Sequence, residues 1–433
     1  MISKYQQFIF ENYHFDEINH VLTLEYSFDT SLLFSETYTF NFDFAEFDHR
    51  LLECAIQNLF LIGGVSYYKA YLAPAIVIHK AHIDEHIANF LGKTYQKGLG
   101  EFFFMNRLDP KMPITFPISN ESQIPFQTEN KGEGQLIGIG GGKDSLASVE
   151  ILRHYIKNIA TWSMPTTNLD PLIDRVGLPY YAVSRKLDPN LLEINKRDAY
   201  NGHVPISAIF AAVGVIVAIL TGKRDVVVSN ELSANEPTLE YQDTWINHQY
   251  SKSQEFERDF QSLLLHTMGD SIRYYSFLRP LSELAIAKLF AATGFDKYKD
   301  VFSSCNHSLA KSANFKLWDG TCPKCAFVFL ILTPFIKRQE LETIFNGKNL
   351  LLANDLDMTY RQLLGIEGEK PFECIGEIKE SRAAMLAAEK IYPELASRFQ
   401  FELPNDYDYK TLGSHNMPSE IYQYLIGALD SIG

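Results

Sequence analysis

Residues 136–152 read LIGIGGGKDSLASVEIL: an apolar run, three consecutive glycines, then Lys-Asp-Ser opening an amphipathic stretch. The apolar run predicts a buried strand, and the polar start after the glycines predicts a helix. Glycines between the two let the backbone approach a ligand with no Cβ in the way. A loop of this kind offers free N–H groups to an anion, at the strand end where open α/β sheets hold their ligands. Gly140, Gly141, Gly142, Lys143, Asp144 and Ser145 are therefore the candidate phosphate-binding residues, Ser145 through its hydroxyl and Lys143 if its charge turns towards the ligand. Two familiar phosphate loops do not fit: Walker A needs Ser or Thr where Asp144 stands, and G-x-G-x-x-G has another spacing. A tight turn kept purely for packing is the plain alternative.

The surroundings extend the pattern. "NIATWSM", "YYAVS" and "DVVVSN" read as strands, with helices after Lys143 and from Pro205 to Leu220. Strands and helices in regular succession predict a doubly wound α/β domain with a mostly parallel sheet over residues 131–340. Before it, Leu22, Leu24, Tyr26 and Phe28 alternate with polar residues, as do Tyr38, Phe40, Phe42 and Phe44, which predicts an antiparallel sheet. A helix from Leu51 to Ile62 should stop at Gly63-Gly64, and another should cover Ile83 to Tyr95. These elements make an N-terminal α+β domain, residues 1–130, with a polar, Pro- and Gly-containing linker at about 115–134. Residues 341–433 read as a helical C-terminal region.

Charge and cysteine usage exclude several roles. With 53 acidic against 39 basic residues the chain carries −14, which disfavours nucleic acid as a partner. The longest wholly apolar run, Ala208 to Leu220, is too short to cross a membrane, and the first residues show no secretion pattern, so a cytoplasmic protein is expected. Five cysteines do not form a disulfide framework. Cys322-Pro-Lys-Cys325 has instead a turn spacing suited to two thiolates on one metal, with Cys305 as a third, or else these are reduced buried thiols. Nothing in the sequence sets the oligomeric state.

"GGGKDS" at 140–145 resembles the PP-loop, S-G-G-x-D-S, of ATP pyrophosphatases, with Gly140 in place of the first serine. "HVPISAIFAAVGVIVA" (203–218), "DVVVSNE" (225–231) and "RPLSELAIAKL" (279–289) are similar to other segments of that superfamily. The resemblance implies an adenine-nucleotide α-hydrolase-like fold, ATP and Mg²⁺, and cleavage of ATP to AMP and pyrophosphate as an acyl oxygen is adenylated. Within the superfamily, 7-cyano-7-deazaguanine synthases carry a C…C-G-x-C-x-x-C zinc site, and "DGTCPKC" aligns with it so that Asp319 takes one cysteine slot. The implied structural Zn²⁺ set is Cys305, Asp319, Cys322 and Cys325, with His307 as a substitute.

More specific still are "LIGGVSYYKA" (61–70), "GLGEFFFMNRL" (98–108), "VSNELSANE" (228–236), "NHQYSKS" (247–253), "SSCN" and "CPKCAFVFL". Together with the glycine loop they resemble the ATP-dependent UDP-N-acetylmuramoyl-L-alanyl-L-glutamate epimerases, the MurL family, from about residue 60 to 335. That resemblance implies conversion of the terminal L-Glu of UDP-MurNAc-L-Ala-L-Glu to D-Glu, for peptidoglycan precursor synthesis. An ATP-dependent nucleobase-modifying enzyme and a nucleotide-binding module without turnover are the rival readings. Adenylation explains why an epimerase would need a PP-loop: it removes the carboxylate charge that would otherwise oppose loss of the α-proton. Candidate catalytic groups are Lys69, Tyr67, Glu231 and His248, and candidate substrate contacts are Ser66 and Lys252. Each has a plainer reading: a solvated Lys69, a packed Tyr67, a Glu231 that caps the next helix, or surface roles for His248 and Lys252, which would share a face only if their segment is helical.

Overall fold

The computed structural model describes residues 4–119, 132–165, 168–306 and 317–433. Most of the expected linker, and His307, lie outside the described residues. The N-terminal part opens with a meander, β1 (Gln7–Asp16), β2 (Val21–Phe28) and β3 (Leu32–Phe40), joined by β4 (Ala75–Ile78) beside β1. Leu22, Leu24, Tyr26 and Phe28 all face the core with no exposed surface, as their alternation requires. The second alternating run ends as a strand at Phe40; Phe42 and Phe44 continue as half-buried loop residues.

The α/β part contributes β5 (Gln135–Gly138), β6 (Ile159–Ser163), β7 (Tyr180–Lys186), β8 (Asp225–Val228) and, after a hairpin of β9 (Leu239–Tyr241) and β10 (Thr244–Ile246), β11 (Arg273–Ser276). The sheet does not stop at residue 130. One nine-stranded sheet runs in the order β11-β8-β5-β6-β7-β3-β2-β1-β4. The five strands from β11 to β7 pair parallel, and β3 joins β7 antiparallel with Tyr38 opposite Arg185.

Successive residues of the parallel strands feed opposite faces. Leu136, Trp162 and Val226 enter one core and Ile137, Ile159 and Val227 the other. Helix Ile206–Leu220 lies on the first face and is covered in turn by helix His49–Gly63, so it is buried nearly all round. This is why its sequence is wholly apolar without spanning a membrane. Among the described residues no helix is long and apolar enough to cross one. On the other face, helix Lys143–Tyr155 packs against Glu283–Thr293. The C-terminal helices dock here as well: Ile378–Glu389 lies on Pro323–Leu332 and buries Ala384, Met385 and Ala388 completely.

The helix predicted to stop at Gly63-Gly64 runs from His49 to Gly63, with Asp48 capping the N–H groups of Arg50 and Leu51. Gly64 has ordinary helical dihedrals and leads straight into a further turn, Val65–Tyr68. It is glycine because a Cβ would stand 2.4 Å from the ring of Phe10.

Candidate active site

β5 and β8 are neighbours, yet the chain proceeds from β5 towards β6 and β7 on one side and from β8 to β11 on the other. Such a reversal opens a crevice beyond the carboxyl ends of the two strands. β5 delivers the glycine loop into that crevice, and β8 delivers Ser229, Asn230 and Glu231.

The three glycines differ in what they do. Gly141 has φ of +94°, a left-handed conformation that side chains avoid, and its carbonyl accepts the Ser303 N–H at 2.9 Å. On Gly142 a Cβ would come within 3.3 Å of Ser304, whereas at Gly140 it would meet nothing within 4 Å. Helix Lys143–Tyr155 starts from Gly142 with no side chain capping it, so its first-turn N–H groups face the crevice as donors for an anion. Ser145 Oγ donates to the Gly142 carbonyl at 3.2 Å and stands at the same helix end.

Lys143 does not reach towards a ligand. Its ammonium is buried between Asp144 and Glu283, the first residue of helix Glu283–Thr293. The Glu283 N–H donates to Glu380 at 2.7 Å, and burial followed by the Glu283 charge pushes the Glu380 carboxyl up to about 8. Burial works against ionised Asp144, but Lys143, Lys324 and Lys252 hold it below the usual carboxylate range. Glu231 is also buried, close enough to Lys252 and Glu283 to perturb both, and its side chain makes no cap to the turn that follows.

A second group of side chains meets this one at Cys374, in the loop before helix Ile378–Glu389. Lys252 Nζ lies 3.0 Å from Cys374 Sγ, and Lys324 donates to the Cys374 carbonyl. His248 hydrogen-bonds to Cys374 and, through Nδ1, to Glu101. His203 Nδ1 is 3.4 Å from the same Glu101 oxygen, with the two imidazole rings 4.6 Å apart. Burial alone would raise the Cys374 thiol, but Lys252, His248 and Lys324 bring it down to about 6. For His248 the order is similar: burial opposes the charge, and Cys374 and Glu101 raise the imidazolium to about 9. Burial and the neighbouring His248 push His203 down to about 4. Cys374, His248 and Glu101 thus form a hydrogen-bonded chain, with Lys252 close to both Cys374 and Asp144.

His248 and Lys252 do not share a helix face. Asn247 turns the chain, its side chain bonding the Gln249 N–H at 2.7 Å and the Ala234 carbonyl at 2.8 Å, and only a short 3-10 turn, Tyr250–Lys252, follows. The two side chains meet all the same, across Cys374. Lys69 is buried rather than solvated; it donates to Asn201 at 3.2 Å, two residues from His203, and burial lowers it to about 8. Tyr67 and Ser66 sit elsewhere. Tyr67 packs wholly buried against Tyr26 and Phe34, burial holding its hydroxyl protonated, and Ser66 accepts a hydrogen bond from Arg185, which pairs with buried Glu36.

Arg279, Glu283, Glu101, Lys324, Glu380 and Cys374 are site residues that sequence reasoning did not single out. Arg279 is fully buried, pairs with Glu257 at 2.9 Å, and donates to the carbonyls of Glu231 at 2.7 Å and Lys252 at 2.5 Å. It thereby fixes two segments of the site at once. Arg279, Glu283 and Glu101 stand inside quoted motifs, whereas Cys374 and Glu380 carry no spacing signal.

The cysteine cluster borders the crevice: Cys305 follows Ser303 and Ser304, which adjoin the glycine loop, and Lys324 stands between Cys322 and Cys325. Cys305 and Cys322 sulfurs are 3.9 Å apart, close to the roughly 3.8 Å edge of a tetrahedral zinc–thiolate site with bonds of about 2.3 Å. Cys325 Sγ lies 3.2 Å from Asp319 Oδ1, and donor atoms of all four residues fall within 4.8 Å of one another. Cys322 caps helix Pro323–Leu332, its sulfur accepting the Cys325 N–H at 3.4 Å. The donor set and its spacing fit a structural zinc.

Comparison with known proteins places the chain in a family. Residues 1–277 match the MurL N-terminal domain and residues 301–397 the MurL C-terminal domain. A UDP-N-acetyl-alpha-D-muramoyl-L-alanyl-L-glutamate epimerase of Xanthomonas oryzae pv. oryzae is 37% identical over 422 residues, covering 93% of each chain. Proteins of the same name from a Micromonospora species and from Salinispora tropica are each 38% identical, over 76% of this chain and 73% and 72% of theirs. With both family domains matched in order and a relative aligned across nearly its whole length, the chain belongs to the MurL family.

Proposed function

We propose that this chain epimerises the terminal glutamate of UDP-MurNAc-L-Ala-L-Glu from L to D, converting ATP to AMP and pyrophosphate as it does so, in cytoplasmic synthesis of peptidoglycan precursors. The observation that carries the reading is the juxtaposition of an uncapped glycine loop at a sheet switch point with the Cys374–His248–Glu101 line. Family membership and the relatives' printed names supply the substrate.

The roles follow from the chemistry. Backbone N–H groups at Gly142–Asp144 and the Ser145 hydroxyl receive the triphosphate, and the substrate carboxylate attacks the α-phosphorus, releasing pyrophosphate. The glutamyl adenylate that results has lost its carboxylate charge. Cys374, as thiolate, removes the proton from Cα, and the electron pair moves onto the acyl oxygen beside Lys252. A solvent-derived proton added to the opposite face inverts the centre, and water then cleaves the acyl–phosphate bond to free AMP and the D-glutamyl product. His248, oriented by Glu101, keeps Cys374 ionised. Asp144 and Glu231 are the carboxylates suited to hold Mg²⁺, which would neutralise phosphate charge. Cys305, Asp319, Cys322 and Cys325 would hold a structural zinc.

The test incubates the protein with ATP, Mg²⁺ and UDP-MurNAc-L-Ala-L-Glu and measures AMP together with glutamate chirality. D-Glu formed in step with AMP is expected; folded protein that makes no D-Glu refutes the reading.

A further inference from the structure

The substrate proposed above carries its uridine at one end and its reacting glutamate at the other, with the sugar and alanine between. An enzyme that works on the glutamate at the β5–β8 crevice therefore needs a second recessed surface for the nucleotide diphosphate. One groove has the right position and chemistry. It has a volume of about 990 Å³, near the top of the about 300–1,000 Å³ range of small-molecule sites, and lies between helix Glu85–Gly98, the β9–β10 hairpin and the start of helix Gln254–Met268.

It borders the segments that carry the site. Gly100 and Asn247 line it, and the next residue of each segment is Glu101 or His248. Its walls carry Lys93, Lys97, Lys111 and Arg258 against one acidic group, Glu255, although the chain as a whole is at −14. Glu255 pairs with Lys93 at 2.7 Å and Lys97 at 2.8 Å, and Asp259 holds Lys93 at 2.6 Å. Asp243 stands 3.7 Å from Lys111, and four basic groups against these three carboxylates still leave the groove and its margin with a positive balance. On the hairpin Trp245 is 66% exposed at the groove edge, a flat aromatic face of the kind on which nucleobases stack.

Resting on the epimerase reading, we infer that this groove binds the uridine diphosphate end of the substrate, with Trp245 under the base and Lys97 and Arg258 on the diphosphate. None of the three belongs to the proton-transfer machinery. Their loss removes binding that is equal in the ground and transition states, so it raises KM and leaves kcat.

The experiment has two arms. UDP alone should inhibit competitively against UDP-MurNAc-L-Ala-L-Glu but not against ATP. Trp245→Ala and Arg258→Ala should each raise KM for the muramoyl substrate about tenfold, with kcat and KM for ATP unchanged, and Trp245→Phe should restore most of the loss. Thermal melts matching the parent protein exclude misfolding. An active wild-type enzyme that UDP does not inhibit, or variants with unaltered KM, would overturn the assignment. Should the wild-type enzyme show no epimerisation, the functional reading fails. Calorimetric titration of UDP into wild-type and Lys97→Ala/Arg258→Ala proteins then decides the groove by itself: binding lost in the double variant supports it, and no binding to wild-type refutes it.

Discussion

Cys374 is the residue on which the proposed chemistry turns, and its neighbours set a pH signature. The thiol is pulled down to about 6, so lowering the pH through 6 protonates the proposed base and kcat/KM should fall on the acid side. His248 is raised to about 9, so above that pH the imidazolium loses its proton and the support for the thiolate weakens. A bell between roughly these limits is expected, as the joint titration of a coupled pair. Cys374→Ser should abolish epimerisation and the entry of solvent deuterium at Cα, yet retain substrate-dependent exchange of labelled pyrophosphate into ATP. Deuterium entry persisting in the variant would remove Cys374 from the reaction. The glycine loop gives a second contrast: Gly141→Ala must hold a side chain at φ +94° and should cost about 1–3 kcal/mol, read as a lower melting temperature, whereas Gly140→Ser has room and should leave stability unchanged. The loop was legible because its spacing is local. Cys374 was not, since no motif surrounds it and its partner Lys252 is 122 residues away.

At the scale of elements, sequence periodicity located most strands and helices but not the turns that build the site. The alternation of Leu22 to Phe28 and the apolar run of Ile206–Leu220 each name an element, because burial of a face follows from spacing alone. The segment Asn247–Lys252 has helical spacing between His248 and Lys252, but the Asn247 side chain takes over the backbone groups and forms a turn instead. Helix Pro323–Leu332 shows a different coupling of element and chemistry. Two of the proposed zinc ligands, Cys322 and Cys325, sit in its cap and first turn, and Asp319 approaches from the loop before it. Binding of the metal would tie that loop and Cys305 to the helix start, so removing it should loosen the end of the helix that carries Lys324. We expect about one zinc per chain by elemental analysis, lost in Cys322→Ser with a lower melting temperature. A metal-free wild-type protein with the same melting temperature would remove zinc from the account.

The whole molecule is organised by a joint that no local pattern announces. β3 and β7 come from segments some 150 residues apart, and their antiparallel pairing turns an N-terminal meander and a parallel sheet into one continuous sheet. Arg185 on β7 reaches across to Glu36 on β3 at 2.6 Å, with Glu36 fully buried and Arg185 nearly so. Removing one partner of such a pair strands the other charge in the core, which costs about 3–5 kcal/mol. A joint of this kind should make the two parts unfold together, and the distribution of tryptophan allows a direct test. All three tryptophans, Trp162, Trp245 and Trp318, lie in the part after residue 131, while the meander is rich in tyrosine and phenylalanine. Tryptophan fluorescence therefore follows one side of the joint, and hydrogen exchange of the β1 and β2 amides follows the other. The two should report the same midpoint in denaturant, and Arg185→Ala should move both down together. Exchange in β1 and β2 that rises well before the fluorescence transition would mean that the pairing across β3 and β7 does not couple the halves, and that the catalytic crevice is stabilised by the α/β part alone.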